Sequence, residues 1–166
     1  KYEVKDSNRR GYGKIPISKA FEVSSNTGMV KFIYDNYKDN PERLVDRLIN
    51  MKIDQKINIE IKGEGEPLIP HPHDDKWSGI SLPWMAFGYG VMMTPLQTLT
   101  FYNAVANDGE MVKPSFINSI GAFGEKPIYE IDREVIMSSI CSNETLISVQ
   151  NMLENVVEKS WGTANN

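Results

Sequence analysis

Apolar residues fall at helical spacing in five stretches of this chain and at strand-like spacing in three. Ile17, Ala20 and Phe21 share one face of a helix predicted over residues 16–23. Ser24, Ser25 and Asn26 interrupt it, because their side chains compete for backbone hydrogen bonds and favour caps and turns. A second helix is predicted to restart near Thr27, with Met29, Val30, Ile33 and Tyr37 in register, so the polar triplet marks a junction between helices. In the third, Asn40 can cap, Pro41 suits a first helical position that needs no amide donor, and Leu44, Val45, Leu48 and Ile49 form the buried stripe.

Ile57-Asn58-Ile59-Glu60-Ile61 alternates with period two and predicts a half-buried strand. Residues 62–90 are rich in Gly, Pro and His without sustained periodicity, which predicts a long ordered loop over the helices. Thr94-Pro95-Leu96-Gln97 has the form of a capping box, and a largely buried helix carrying Leu96, Leu99, Tyr102, Ala104, Val105 and Ala106 is expected to follow. Asn107-Asp108-Gly109 supplies residues that tolerate the left-handed conformation in which helices end. Two strands, over residues 115–120 and 127–131, should pair across the turn between Gly121 and Gly124. The last helix is predicted to open near Ser142 or Asn143 and run to about Lys159, with Leu146, Val149, Leu153, Val156 and Val157 facing inward. The expected fold is therefore α+β and predominantly helical.

With 166 residues, 40% of them hydrophobic, the chain has the size and composition of one globular domain. A formal charge of -4, with basic residues scattered, gives no electrostatic reason to expect nucleic acid as a partner. No run approaches the ~18 to 20 apolar residues a membrane span requires, and residues 1–6 lack the apolar core of a signal peptide. Any anchor or export signal is expected outside this sequence. Cys141 is the single cysteine, which excludes an internal disulfide, and a packed, inert thiol is expected of it.

His71, His73, Asp74 and Asp75 have ligand chemistry, yet the chain has only these two histidines, both in a Pro-rich loop, and no third ligand is indicated, so neither a metal nor another cofactor is expected. The scarcity of histidine also argues against a Ser-His-Asp triad. Gly88-Tyr89-Gly90 lacks the further Gly and Lys of a phosphate loop and is expected to be a tight turn. Met85, Met92 and Met93 are expected to fill the core.

The triplet Ser24-Ser25-Asn26 carries the most chemistry, because a hydroxyl and a carboxamide one residue apart at a helix junction can point together into a cleft. Taken alone, an N-cap formed by Ser24 or Asn26, closing the second helix, is the better explanation. Several further segments change that balance. Gly13-Lys14-Ile15-Pro16-Ile17-Ser18-Lys19-Ala20-Phe21-Glu22-Val23-Ser24-Ser25-Asn26-Thr27-Gly28 is followed by Gly63-Glu64-Gly65-Glu66-Pro67-Leu68-Ile69-Pro70 and Trp77. Next come Phe87-Gly88-Tyr89-Gly90, Thr94-Pro95-Leu96-Gln97 and Ala106-Asn107-Asp108-Gly109, and finally Met152-Leu153-Glu154-Asn155-Val156-Val157 and Gly162-Thr163-Ala164. In this order the chain resembles the class B penicillin-binding proteins, the monofunctional peptidoglycan D,D-transpeptidases of cell division and elongation.

The resemblance implies the helical half of the penicillin-recognising fold with small strand elements, residues 1–166 forming part of a transpeptidase domain. No Ser-x-x-Lys, Lys-Thr-Gly or Lys-Ser-Gly occurs in the chain, and Trp161 stands where Lys159-Ser160 would need glycine. The acylated serine with its lysine is accordingly expected upstream, and the Lys-Thr-Gly strand downstream. By the same resemblance Ser24 is the expected proton relay and Asn26 the substrate-positioning residue, while Ser25 is structural. Expected partners are peptidoglycan stem peptides, β-lactams as inhibitors and other cell-wall synthesis proteins, with self-association of the piece through exposed apolar helix faces. The expected location is an extracytoplasmic or periplasmic domain of a membrane-anchored protein. Two rivals are a serine β-lactamase or D,D-carboxypeptidase, in which water accepts the acyl group, and a non-catalytic sensor or scaffold module.

Overall fold

In the computed structural model, residues 3–165 are described. Six helices and two small antiparallel ribbons follow in the order α1 (Ile17–Glu22), α2 (Asn26–Tyr37), α3 (Glu42–Asn50), α4 (Ser81–Met85), α5 (Pro95–Ala106), β1 (Met111–Val112), β2 (Ser119–Ile120), β3 (Tyr129–Glu130), β4 (Val135–Met137) and α6 (Asn143–Glu158). The α1 helix packs against both α2 and α6, α2 also meets α3 and α4, and α5 bridges α6 and β1. The fold is α+β and mainly helical, as the sequence pattern implies.

Ala20, Val23, Val45, Leu82, Ala104, Val105 and Leu146 are buried where these helices meet. Val45 is fully enclosed, and Leu44, Leu48 and Ile49 line the same inward stripe of α3. Such burial stabilises by about 1.5 to 3 kcal/mol per large side chain. Asn40 Oδ1 accepts from the Arg43 amide at 3.3 Å, so it serves the first turn of α3 as expected. At α5 both bonds of the capping box form: the Gln97 amide donates to Thr94 Oγ1 at 3.1 Å, and the Thr94 amide to Gln97 Oε1 at 2.7 Å. The Gln97 side chain also donates to the Gln55 carbonyl at 2.8 Å, tying the loop after α3 to α5.

The structure corrects five expectations. Residues 57–61 do not form a strand: Asn58 adopts φ 57°, and the Ile57 and Asn58 amides donate to the two oxygens of Glu64 at 2.6 and 2.8 Å instead of to a neighbouring strand. The loop over residues 62–90 contains the short helix α4, and its Leu68 forms an isolated antiparallel bridge with Met92 beyond the loop. Only one face of α5 is buried, through Gln97, Thr100, Ala104 and Val105, whereas Leu99 and Tyr102 are exposed. Val157 on α6 also points outward, and Met92 is exposed instead of filling the core. Pairing of β2 with β3 across the Gly121–Gly124 turn matches the sequence, although each strand has only two residues. The β1–β4 ribbon was not anticipated, because Met111–Val112 is too short to show alternation and its partner lies across a long connection.

Among the described residues no group of three or more His, Cys, Asp or Glu side chains is placed to hold a metal. His71 and His73 lie ring to ring at 4.8 Å, with His73 Nε2 3.0 Å from Glu42 and His71 Nε2 3.7 Å from Asp46. They fasten the loop to α3. No helix among the described residues is long and apolar enough to cross a membrane.

Candidate active site

The junction between α1 and α2 is built by two bonds that close the first helix. The Ser24 amide donates to the Phe21 carbonyl at 3.0 Å, and the Ser25 amide reaches back to the Ala20 carbonyl at 2.8 Å. This is the Schellman arrangement, in which the residue after the C-cap takes the left-handed conformation that usually selects glycine. Here that residue is Ser24, at φ 50°. A side chain in this region costs of order 1 kcal/mol or more, so the hydroxyl is kept at a position where glycine would be easier.

Ser25 then caps α2, its Oγ accepting from the Gly28 amide at 3.0 Å, and only 2% of its surface is exposed. The cap is therefore the middle residue of the triplet, which leaves Ser24 and Asn26 free of that duty. Gly28 permits the tight start of α2, since a Cβ there would stand 2.7 Å from Ala20 Cβ. Asp6, from the segment before α1, completes the end of α2. Its carboxylate accepts from the Thr27 amide at 2.9 Å, the Thr27 hydroxyl at 2.7 Å and the Ser25 hydroxyl at 3.2 Å. Burial pushes the Asp6 carboxyl up, but the bonds from Thr27, Ser25 and the Asn26 amide outweigh it and hold the group below its ordinary range.

Ser24 is exposed, and its Oγ lies 3.1 Å from Thr163 Oγ1, the two hydroxyls sharing one hydrogen bond. Asn26 is half-buried and donates through Nδ2 to the Lys5 carbonyl at 3.1 Å. It lines a cleft of about 250 Å³ together with Val4, Lys5, Trp84, Phe87 and Tyr89. The aromatic rings support one another, Tyr89 standing edge-on to Trp84 at 5.4 Å and tilted against Phe87 at 5.3 Å. Each expected site residue is thus on an accessible surface at the junction. Ser24 faces the segment after α6, and Asn26 faces the aromatic turn after α4.

Beneath Ser24 lies a buried carboxylate that the sequence pattern did not single out. Glu22 is 5% exposed and accepts from Trp161 Nε1 at 2.7 Å and from Asn155 Nδ2 at 2.8 Å. The bond from Trp161, then that from Asn155, hold its carboxyl below the ordinary range against the opposing effect of burial, with Lys19 and Lys159 adding attraction. Lys19 also stands 3.2 Å above the Trp161 ring. The only sequence signal for Glu22 is an acidic residue directly beside the inward pair Ala20 and Phe21. For Asp6 there is none, because its partners are some twenty positions away.

The family model described as the penicillin binding protein transpeptidase domain matches residues 1–166. Penicillin-binding protein PbpB of Mycolicibacterium smegmatis is 31% identical over 156 residues, covering 94% of this chain and 23% of that protein. Peptidoglycan D,D-transpeptidase FtsI of Escherichia coli is 26% identical over 161 residues, covering 97% of this chain and 24% of its own length. The chain therefore spans about a quarter of the curated relatives it matches. Among solved structures, penicillin binding protein 3 of Mycobacterium tuberculosis in complex with aztreonam superposes with a TM-score of 0.67 at 28% identity, over 90% of this chain and 32% of that one. The TP domain of Burkholderia pseudomallei penicillin-binding protein 3 superposes with a TM-score of 0.70 over 92% of this chain and 41% of its own, at 23% identity, a likeness of fold. By its sequence over the full 166 residues, the chain belongs to the penicillin-binding protein transpeptidase family.

Proposed function

We propose that this chain is part of a peptidoglycan D,D-transpeptidase domain, with Ser24 as proton relay and Asn26 as substrate-positioning residue. The observation that carries the proposal is the exposed Ser24 hydroxyl, kept in a left-handed position that favours glycine, two residues before a half-buried carboxamide at the mouth of a cleft. Strain retained at a surface hydroxyl is a common mark of a working site. Residues 1–166 contain neither Ser-x-x-Lys nor Lys-Thr-Gly, so the nucleophile with its lysine and the substrate-binding strand belong to other segments of the complete domain.

The chemistry is acyl transfer through a serine ester. The nucleophilic oxygen bonds to a carbonyl carbon of the donor stem peptide, the C–N bond breaks, and the departing amine takes a proton. Ser24 passes that proton on, because a hydroxyl donates and accepts at once. In the second half the acceptor amine attacks the ester, loses a proton through the same hydroxyl, and the serine leaves. Asn26 holds the donor by pairing its carboxamide with a peptide amide, or with the side-chain amide of a β-lactam. The cost of misplacing the reacting carbonyl exceeds the worth of any one such bond.

Peptidoglycan stem peptides are the proposed substrates, and β-lactams the inhibitors, in an extracytoplasmic domain of a membrane-anchored protein that works with other cell-wall synthesis proteins. The names of the relatives, all penicillin-binding proteins or peptidoglycan D,D-transpeptidases, favour this reading over a hydrolase or a sensor module. In the complete protein Ser24→Ala should slow acylation by a fluorescent penicillin on the order of 10² to 10⁴-fold, with the circular dichroism spectrum unchanged. An unaltered acylation rate would remove Ser24 from the mechanism.

A further inference from the structure

The segment after α6 is folded back against the helix it has just left. The Gly162 amide donates to the Lys159 carbonyl at 2.7 Å and the Ala164 amide to the Val156 carbonyl at 3.1 Å. Gly162 passes so close that a Cβ would stand 2.2 Å from the Val156 oxygen, which leaves this path to glycine. The Thr163 amide then donates to the backbone carbonyl of Glu22 at 3.3 Å, and its hydroxyl meets Ser24 Oγ at 3.1 Å.

What holds this turn in place is the Glu22 side chain. One carboxylate oxygen takes Asn155 from the last turn of α6, the other takes Trp161 from the turn itself, and Lys19 covers the outer face of the Trp161 ring. A buried carboxylate with both oxygens engaged fixes its partners more tightly than neutral groups would. Glu22 therefore joins α1 to the end of α6 directly below the two hydroxyls.

We infer that Thr163 is a positioning residue for the Ser24 hydroxyl, and that Glu22, by gripping Asn155 and Trp161, sets where Thr163 stands. A hydroxyl that relays a proton must offer its lone pair and its O–H in defined directions, and an exposed serine would otherwise rotate among three staggered positions. The bond shared with Thr163 occupies one side of Ser24 Oγ and leaves the other for the transferred proton. This inference rests on the assignment of Ser24 as the relay.

The test uses the complete protein carrying this domain and follows penicillin acylation by stopped flow, separating the pre-covalent dissociation constant from the acylation rate constant. Thr163→Val, which keeps the shape and removes the hydroxyl, should lower the acylation rate constant about tenfold and leave the dissociation constant unaltered. Thr163→Ser should restore most of the rate. Glu22→Gln turns one accepting oxygen into a donor that opposes Asn155 Nδ2 or Trp161 Nε1, and should produce a similar loss. Adding Asn155→Asp gives that amide an acceptor and should recover the rate.

A Thr163→Val protein that acylates at the wild-type rate overturns the inference. So does a Glu22→Gln/Asn155→Asp protein that regains thermal stability but not acylation. If Glu22→Gln does not fold, the Thr163 pair of variants still decides. Ser24→Ala run in parallel separates the levels: slow Ser24→Ala with fast Thr163→Val sinks only the role of Thr163, whereas fast Ser24→Ala removes the relay itself.

Discussion

The role proposed for Ser24 sets stability against function at this residue. The left-handed conformation at φ 50° favours glycine, and the serine is retained with its hydroxyl at the surface. Ser24→Gly should raise the stability of the complete domain by roughly 0.5 to 1 kcal/mol in urea denaturation, the relieved strain exceeding the added chain entropy, while acylation falls. A destabilised Ser24→Gly protein would show that the serine contributes more to the fold than to the chemistry. Glu22 and Asp6 act in the other direction, since both carboxyls are held below their ordinary range in the fold. Each therefore stabilises fully above the ordinary carboxylate value of about 4, and the contribution is lost as pH falls through the lowered folded value. Glu22→Gln should accordingly be less stable than wild type at pH 7, with the gap closing towards pH 3. A gap that stays constant across this range would mean that the Glu22 charge is not what holds Asn155 and Trp161.

Among the elements, legibility in the sequence followed how local each signal is. The α5 start could be read from Thr94-Pro95-Leu96-Gln97 because both bonds of the box join residues three apart. Thr94→Ala should cost about 1 kcal/mol of stability, measured as a lowered denaturation midpoint, without altering acylation. The stripe of α3 and the break at residues 24–26 were legible for the same reason. Residues 57–61 misled because alternation measures only a face to bury, whereas the Ile57 and Asn58 amides are claimed by Glu64 from further along the chain. The α4 helix was hidden by its length of five residues and an internal Pro83, and Leu99, Tyr102 and Val157 read as inward because helical spacing cannot say how wide the covered face is. At the proposed site, the Ser24-Ser25-Asn26 junction was legible as a break between helices, and the roles proposed for Ser24 and Asn26 come from the family resemblance. Asp6, Glu22 and Thr163 could not be given roles, since each works on residues brought near only by the packing of α1, α2 and α6.

For the molecule as a whole, α1 packs against both α2 and α6, and the proposed mechanism takes its acylated serine from another part of the domain. The chain of 166 residues alone should therefore take up no fluorescent penicillin, as read by gel after denaturation, because it contains no Ser-x-x-Lys. Covalent labelling of this chain would mean that the nucleophile had been misassigned. Leu99 and Tyr102 on α5 and Ile147 and Val157 on α6 are exposed apolar helix residues, the kind of surface through which self-association of the piece was expected. Ser24 faces the segment after α6 and Asn26 the aromatic cleft after α4, and the proposed mechanism requires the acyl donor to lie between them. A crystal structure of the complete protein acylated by a penicillin tests it most directly: the Ser24 hydroxyl should lie within about 3.2 Å of the nucleophilic serine, its lysine or the leaving nitrogen, and the Asn26 carboxamide within the same distance of the inhibitor's side-chain amide. Both side chains standing clear of the bound inhibitor and of the nucleophile would contradict it.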